Sequence, residues 1–485
     1  MIRFRSTLRR AVLTAACLIP AIAPLRLPAQ RAPQAAPQAV ARAASPAAPR
    51  RPFGTLREQA DIQQRWLEQR LKTVLPALMR KHGVDAWVIP MREYNEDPVF
   101  SSLVSPTTFA ARRRTIYLFF DRCAAAGRTD PGDGSCVERL AFGGTSQGGL
   151  YEARRAMKAV EADVGGRQAE LWGDEQWQVL KAALDERTPR VIAINTSRTF
   201  AFTDGLSSGE RDGMTEAVGP AHAARFRPAE ALALDLIATR LPEEVAFYGK
   251  LQALVWELSE RMFSNAVIRP GVTRTSDLVW WWRQQVNDLG LGTWFQPSIE
   301  VQRRGVADVG EDPIIQRGDV LHSDVGITAL GLNTDTQHNA YVLLPGETQA
   351  PAGLTAALRN ANRLQDIQME EIRPGKTGNQ VLAASRARMT AAGIDGTFYS
   401  HPIGKHGHGS GPIIGLWDYQ DGVPGRGDAL IVPNMWYSIE LQATTPVPEW
   451  GGQKVRMAQE EDMVMGADGI PRWAIRRQDR LFLVR

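Results

Sequence analysis

The tetrapeptide Ile-Arg-Pro-Gly occurs twice, as Ile268–Gly271 and Ile372–Gly375, 104 positions apart. Each copy follows a helical stretch, Pro242–Val267 in one case and Thr355–Glu371 in the other, and Pro with Gly is a helix stop. Each is followed two residues later by a threonine, Thr273 or Thr377, and then by another segment of helical pattern. A tetrapeptide alone could recur by chance. Helix, turn and helix in the same order instead suggest a duplicated α+β half. The C-terminal domain, residues 233–485, is then pseudo-symmetric, with a site between its halves.

Upstream the pattern changes. Leu56–His82 reads as a helix with Ile62, Trp66, Leu71, Val74 and Leu78 on one side. Asp85–Pro90 and Thr115–Phe120 read as buried strands, and Arg139–Phe142, Glu170–Trp172 and Arg190–Ile194 as further strands. Tyr151–Val164 and Asp174–Asp185 read as helices between them. This alternation predicts an α/β domain over residues 53–232.

The 485 residues carry 57 Lys+Arg against 53 Asp+Glu, a net charge of +4. Residues 1–50 hold eight arginines and no acid, so the remainder stands at −4. The globular part therefore lacks the basic balance that nucleic-acid binding calls for, and no nucleic-acid partner is expected. With 44% hydrophobic and 23% charged residues, the chain is neither mostly disordered nor a multi-span membrane protein. A basic start, Met1–Arg10, ahead of the apolar run Ala11–Ala23 predicts a secretory signal peptide over residues 1–30; a disordered basic tail is the alternative. The run is too short for a stable membrane span, and Cys17 sits in a poor setting for lipid attachment. Residues 31–52, rich in Ala, Pro and Gln, read as a flexible linker. The expected location is periplasmic or secreted. There Cys123 and Cys136 could close a disulfide around a Gly/Asp/Pro loop, with two buried free thiols as the alternative.

Gly144-Thr145-Ser146-Gln147-Gly148 matches the GxSxG nucleophile elbow, but the pattern is short and degenerate, and a Gly-rich turn over Gly143–Gly149 is the preferred reading. Pro374-Gly375-Lys376-Thr377 ends like a phosphate-binding loop and has Glu370 where the earlier glycine belongs. No HExxH zinc helix occurs.

The last third supplies ligand-type residues in strand-like or turn settings. Asp319–Ile327 is an apolar strand carrying Asp324, and Thr334–Leu343 carries Asp335, eleven residues on. Ser400–Gly411 holds His401, His406 and His408 among glycines. Trp436–Leu441 carries Glu440 between apolar neighbours, and Glu460 stands just before the strand Met463–Met465. Carboxylates in buried strands are costly unless paired, hydrogen-bonded or bound to cations. Two divalent ions would resolve that cost for Asp324, Asp335, Glu440 and Glu460 together. Oxygen-rich ligation with one histidine suits Mn²⁺, with Zn²⁺ or Co²⁺ possible.

In order and spacing, these residues resemble the dinuclear metallopeptidase family that includes aminopeptidase P, prolidase, methionine aminopeptidase and creatinase. The family pattern is an Asp, a second Asp eleven residues on, a His in a His-x-[LI]-Gly turn, then two Glu. It falls here on Asp324, Asp335, His401 (in His401-Pro402-Ile403-Gly404), Glu440 and Glu460, with His408 as the second histidine seven residues after the first. The Pro242-Glu243-Glu244 helix start and the repeated turn fit as well, and the resemblance covers about residues 235–485.

The resemblance implies an α/β N-terminal creatinase-like domain followed by an α+β pseudo-symmetric pita-bread catalytic domain. It implies that Asp324 serves one metal, His401 and Glu440 the other, and that Asp335 and Glu460 bridge. A hydroxide shared by the ions attacks the scissile carbonyl, Glu440 takes a proton, and His408 binds substrate or the developing oxyanion. A first domain of this kind, with all five ligands kept, is similar to the Xaa-Pro peptidases. The implied substrate is a short peptide with proline after the scissile bond, and the implied assembly is a homodimer.

Two departures bear on specificity. Proline-specific members carry a histidine upstream of the first Asp, and Phe295–Asp319 has none. The usual Arg-x-Glu is stretched to Arg456–Glu460, where Glu460 is taken over Glu461 because Asp462 and the next strand then keep register. The rivals are a same-fold hydrolase without proline specificity, a non-catalytic binding protein on this scaffold, and a serine hydrolase through Ser146.

Other residues have plainer readings. His406 reads as a solvated loop residue, because glycine turns expose their neighbours. His338 could bond near Asp335 or be structural, His322 falls outside the ligand pattern, and His82 reads as a favourable charge at a helix C-terminus. Trp280–Trp282 read as core or dimer packing. Trp417 and Tyr419 read as pocket lining or core.

Overall fold

A computed structural model describes residues 51–128, 134–154, 156–158, 169–170 and 175–485. The segment expected to be a signal peptide, Cys17 and all but the last two residues of the expected linker lie outside the described residues. So does most of the stretch 159–174. No described helix is long and apolar enough to cross a membrane.

The first sheet has six strands in the order Glu152–Arg154, Val137–Phe142, Arg114–Asp121, Ala86–Arg92, Ile192–Ile194 and Phe226–Pro228. Ala86–Arg92 is antiparallel to Arg114–Asp121 and parallel to Ile192–Ile194. Its sequence AWVIPMR is a continuous apolar run because both faces are covered. Trp87, Ile89 and Met91 face a cluster with Leu67, Leu71, Leu75 and Met79 of the N-terminal helices, whereas Ala86 and Val88 meet Trp177, Leu180 and Leu184 on the other side.

The N-terminal helix starts at Leu56 with Thr55 and Glu58 in a reciprocal capping box, widens to a π-turn over Arg70–Val74, and resumes as Leu75–Lys81. His82 caps it, but its ring is held by the Asp235 carboxylate at 2.8 Å rather than by the helix dipole alone. Cys123 and Cys136 are joined in a disulfide.

The helix expected over Tyr151–Val164 does not form in its described part. Glu152–Arg154 is an edge strand parallel to Val137–Phe142, and Met157–Lys158 pairs with Ala169–Glu170. The reason lies just upstream. Gly143, Gln147, Gly148 and Gly149 all have positive φ and reverse the chain onto the open edge of Val137–Phe142. There the backbone of Glu152–Arg154 is satisfied by the ladder, and Tyr151 is tied down by its hydroxyl donating to the Leu103 carbonyl at 2.6 Å. The GxSxG segment is that turn. The Gln147 side chain bonds the Tyr117 hydroxyl and the Ser105 amide, while Ser146 is exposed, with no histidine bonded to it among the described residues.

The second sheet has nine strands. Its path runs Asp395–Phe398, Trp436–Val447, Gln453–Met465, Thr336–Val342, Val320–Val325 and Ser298–Gln302, with His401–Pro402, Pro471–Trp473 and Phe482–Val484 attached. Helices Pro242–Met262 and Thr275–Asp288 pack on one half, and Ala352–Glu371 with Gly378–Ala391 on the other.

Both Ile-Arg-Pro-Gly copies are turns, and both are anchored in the same way. Gly271 (φ 80) donates to the Ile315 carbonyl at 2.7 Å, and Gly375 (φ 88) donates to the Ile431 carbonyl at 2.9 Å. Ile431 stands 116 positions after Ile315, and Glu440 stands 116 after Asp324. Each half therefore sends one carboxylate from the equivalent strand toward the centre.

The tryptophan run divides. Trp282 is fully buried, whereas Trp280 is 60% exposed beneath the Arg283 guanidinium.

Candidate metal centre

Strand register brings the acids together. Asp324 lies opposite Gln337, Gln337 opposite Glu460, and Glu460 opposite Glu440. These four residues form one row across four adjacent strands, so their side chains share one face of the sheet. His401 pairs with Ser438, two residues before Glu440 on the same strand face, and Asp335 immediately precedes the strand Thr336–Val342.

Period-two alternation separates Glu460 from its neighbour. Glu460 faces the centre, and Glu461 faces away to bond His338 at 3.0 Å. His338 is thus a structural residue, packed between Trp256 and Phe482, and makes no bond to Asp335.

All six proposed site residues converge. The donor atoms of Asp324, Asp335 and Glu460 lie within 4.8 Å of one another, as do those of His401, Glu440 and Glu460, and those of Asp335, His401 and His408. Glu460, Asp335 and His401 each belong to two of these groups.

Burial raises all four carboxyl groups above their ordinary range, and the neighbouring acids raise Asp324, Asp335 and Glu460 further; Asp324 reaches about 7. Burial alone would depress the His401 imidazolium, but Glu440 and Glu460 outweigh it and bring it up to about 10.

The polar inventory tests whether cations fit. Asp324 Oδ1, Asp335 Oδ1 and Glu460 Oε1 are buried without a hydrogen-bond partner, although His401 Nε2 stands 3.0 Å from the last of these. His401 Nδ1 bonds the Pro402 carbonyl at 3.0 Å, which leaves Nε2 turned to Glu460, Glu440 (3.4 Å) and Asp335 (3.7 Å). Orphaned anionic oxygens around one oriented ring nitrogen fit a pair of divalent cations. They do not fit a centre closed by its own hydrogen bonds.

A second layer orients these groups. Gln337 Nε2 donates to Glu440 Oε1 at 2.6 Å and to Glu460 Oε2 at 2.9 Å, while its Oε1 meets His322 Nε2 at 3.0 Å. His322 Nδ1 is 3.5 Å from Glu300, which pairs with Arg456. Asp462 is also buried beside the ligands and accepts the Asp335 amide at 3.2 Å, the Tyr248 hydroxyl at 2.6 Å and the Gln252 amide. The sequence pattern held one signal for Asp462: it lies two residues after Glu460 and so on the same strand face. Gln337 carried none, being an uncharged residue inside an apolar strand.

Aromatic rings wall the open side. His408 Nε2 is 3.4 Å from Asp335 Oδ2, with its side chain 43% exposed, and its ring lies 4.1 Å from His401 and 4.9 Å from Trp294. Burial first, then the His401 and Arg426 charges, push His408 down to about 3. Tyr399 stands 5.4 Å from His401 and 5.4 Å from Trp417, which is part-exposed at the rim. Tyr419 is an exposed surface residue, neither core nor wall.

His406 is not a solvated loop residue. It bonds Ser102 at 2.9 Å and packs on Phe202 at 4.6 Å, so both contacts come from the first domain. The flanking glycines allow that close approach, because a Cβ at Gly409 would collide with the Phe202 ring.

Residues 254–466, a stretch that contains every proposed ligand, match the sequence profile described as metallopeptidase family M24. Over 155 residues the chain is 29% identical to a probable dipeptidase PepE of Mycobacterium tuberculosis, covering 32% of this chain and 36% of that one. The match thus spans about a third of the curated relative's length. Among solved structures, an X-Pro aminopeptidase from Thermotoga maritima superposes with a TM-score of 0.55 at 16% identity, over 83% of this chain and 98% of that one. The N-terminal domain of the FACT complex subunit SPT16 from chickpea, Cicer arietinum, gives 0.53 at 10% identity, over 87% and 99%. These likenesses show the fold, an α/β domain followed by a pita-bread domain.

Proposed function

Because residues 254–466 belong to metallopeptidase family M24, we propose that the chain is an exported metallopeptidase that hydrolyses the bond before proline in short peptides, as an Xaa-Pro aminopeptidase or dipeptidase. The observation that carries the metal-dependent part is the row Asp324–Gln337–Glu460–Glu440 with its three orphaned carboxylate oxygens. A pure binding role on this scaffold gives no reason to bury four acids around a histidine.

Asp324, Asp335 and Glu460 would hold one divalent cation, and His401, Glu440 and Glu460 the other, with Asp335 shared. Mn²⁺ is the favoured ion for so oxygen-rich a set. Bound cations would polarise a peptide carbonyl and make water nucleophilic near neutral pH.

The chain's own residues supply the rest. Glu440 has one oxygen fixed by Gln337 and the other 3.4 Å from His401 Nε2 at the proposed centre, and would accept the proton there. His408, neutral at pH 7, can donate a hydrogen bond to a substrate carbonyl oxygen from the open side. Trp294, Tyr399 and Trp417 offer flat apolar faces that suit a proline ring. The first domain reaches the same loop through Ser102 and Phe202, which favours short substrates.

Export is supported by the arginine-bearing N-terminal segment and by the Cys123–Cys136 disulfide, a bond suited to an oxidising compartment. Homodimerisation is a further part of this reading, tested by light scattering. The specificity is tested with Mn²⁺-loaded protein on peptide pairs that differ only in proline or alanine after the scissile bond. Equal turnover would remove the proline preference and leave a metallopeptidase.

A further inference from the structure

Away from the proposed metal ligands, a cavity of 270 Å³ lies between the N-terminal helix, the segment 100–109 and the hairpin around Leu330–Leu332. Its charged lining is Arg70, Glu244 and Lys405, Gln63 and several serines add neutral polar groups, and its apolar wall includes Trp66, Phe100 and Leu332.

The charges there do not balance. Arg70 is buried and spends its guanidinium on Glu244 at 3.1 Å and on the Thr239 and Leu236 carbonyls, which leaves Nε without a partner. The same Glu244 oxygen, Oε2, also accepts the Leu241 amide at 2.7 Å. Arg240, behind the same wall, bonds only the Ile237 and Ile403 carbonyls, and its Nε is also unpartnered. The Lys405 ammonium has no acceptor or carboxylate partner among the described residues. Two buried guanidinium groups and the half-buried Lys405 ammonium therefore stand near one carboxylate, with Arg70 and Lys405 lining the cavity itself. Lys405 accordingly sits low, at about 8, through burial first and then Arg70 and Arg240, with Glu244 opposing. Uncompensated buried charge of one sign calls for a counter-ion. The apolar wall beside it calls for a counter-ion with a hydrocarbon body.

We propose that this interdomain cavity is a binding site for a small organic monocarboxylate, its carboxylate on Lys405 and Arg70 and its apolar body against Trp66 and Leu332. The ligand neutralises part of the excess charge through charge-assisted hydrogen bonds. Lys405 lies on the segment that also carries His401 and His408, so occupancy bears on that segment. The site itself uses none of the proposed metal ligands and stands whether or not the chain cleaves peptides.

The test is calorimetric titration of the Mn²⁺-loaded full chain with 3-phenylpropanoate, its neutral amide 3-phenylpropanamide, and inorganic phosphate. One equivalent of 3-phenylpropanoate should bind at least tenfold more tightly than either control, and Lys405→Met should weaken it at least tenfold. Equal affinity for the amide, tighter binding of phosphate, or undiminished binding in Lys405→Met each overturns the proposal; the last would place the carboxylate at the metal centre. If Lys405→Met does not fold, ¹³C-dimethylated wild-type protein serves instead, since methylation keeps the charge. Its Lys405 signal, assigned by its loss in Lys405→Arg, should shift and saturate with 3-phenylpropanoate. No shift overturns the site.

Discussion

Gln337 donates one amide hydrogen to Glu440 at 2.6 Å and the other to Glu460 at 2.9 Å, and so spaces two carboxylates that would otherwise repel. The orientation is forced, because the opposite amide flip would set an oxygen against both acids. His322 on the amide oxygen completes the arrangement. Gln337→Leu should therefore fold but bind Mn²⁺ about 10–100-fold more weakly, as losses around metal ligands commonly do. Calorimetric Mn²⁺ titration checks this, and unchanged affinity would show that the Gln337 clamp is dispensable.

Removal of metal should make stability depend on pH in a particular direction. The Asp324 carboxyl is raised from 3.8 to about 7 in the metal-free fold. Between about pH 4 and 7 the unfolded chain releases this proton while the folded chain keeps it, so this carboxyl's contribution falls as pH rises, and the raised His401 imidazolium carries the same trend above pH 7. Chelated protein should melt several degrees higher at pH 5.5 than at pH 7.5. Mn²⁺-loaded protein should not, because the bound cations replace the proton. Melting scans at the two pH values, with and without chelator, decide it.

Asp462 acts on the site through the backbone of Asp335. Asp462→Ala leaves the Asp335 amide and the Gln252 amide without their shared acceptor, whereas the Tyr248 hydroxyl keeps the Asn333 carbonyl at 2.8 Å. Each buried donor left unpaired costs roughly 1–3 kcal/mol, so a loss of about 2 kcal/mol or more is expected in urea unfolding. Glu461→Gln on the opposite face should leave Mn²⁺ affinity within about twofold, since its contacts are to His338 and Gln478.

The loop carrying both site histidines is pressed onto the first domain at Gly409. Gly409→Ala should destabilise by about 1–3 kcal/mol, the usual range for overpacking, and reduce turnover by displacing His408. Phe202→Ala in the same chain should recover part of both losses. A double-mutant cycle with no coupling would show that this contact does not position the loop.

What could be read from the sequence followed from chemistry repeated along the chain. Buried acids in apolar strands stand out because little else explains them, and the register kept by Asp462 and the following strand chose Glu460 over Glu461. The paired Ile-Arg-Pro-Gly turns exposed the duplication, because proline and glycine mark backbone geometry directly. What escaped depended on partners distant in sequence. His82 finds Asp235, His406 finds Ser102 and Phe202, and Gln337 finds Glu440 only after the sheets form. The helix expected at Tyr151–Val164 was lost to an open strand edge, a competitor that local periodicity does not register.

Mn²⁺-dependent hydrolysis of a peptide with proline at its second position, compared in wild type and Asp335→Ala, tests the central claim most directly. The wild-type chain should release the N-terminal residue with two equivalents of metal bound, and Asp335→Ala should lose at least about 10²-fold, the scale at which removal of one essential group is felt. No hydrolysis by fully metal-loaded wild type, or undiminished hydrolysis by Asp335→Ala, would contradict it.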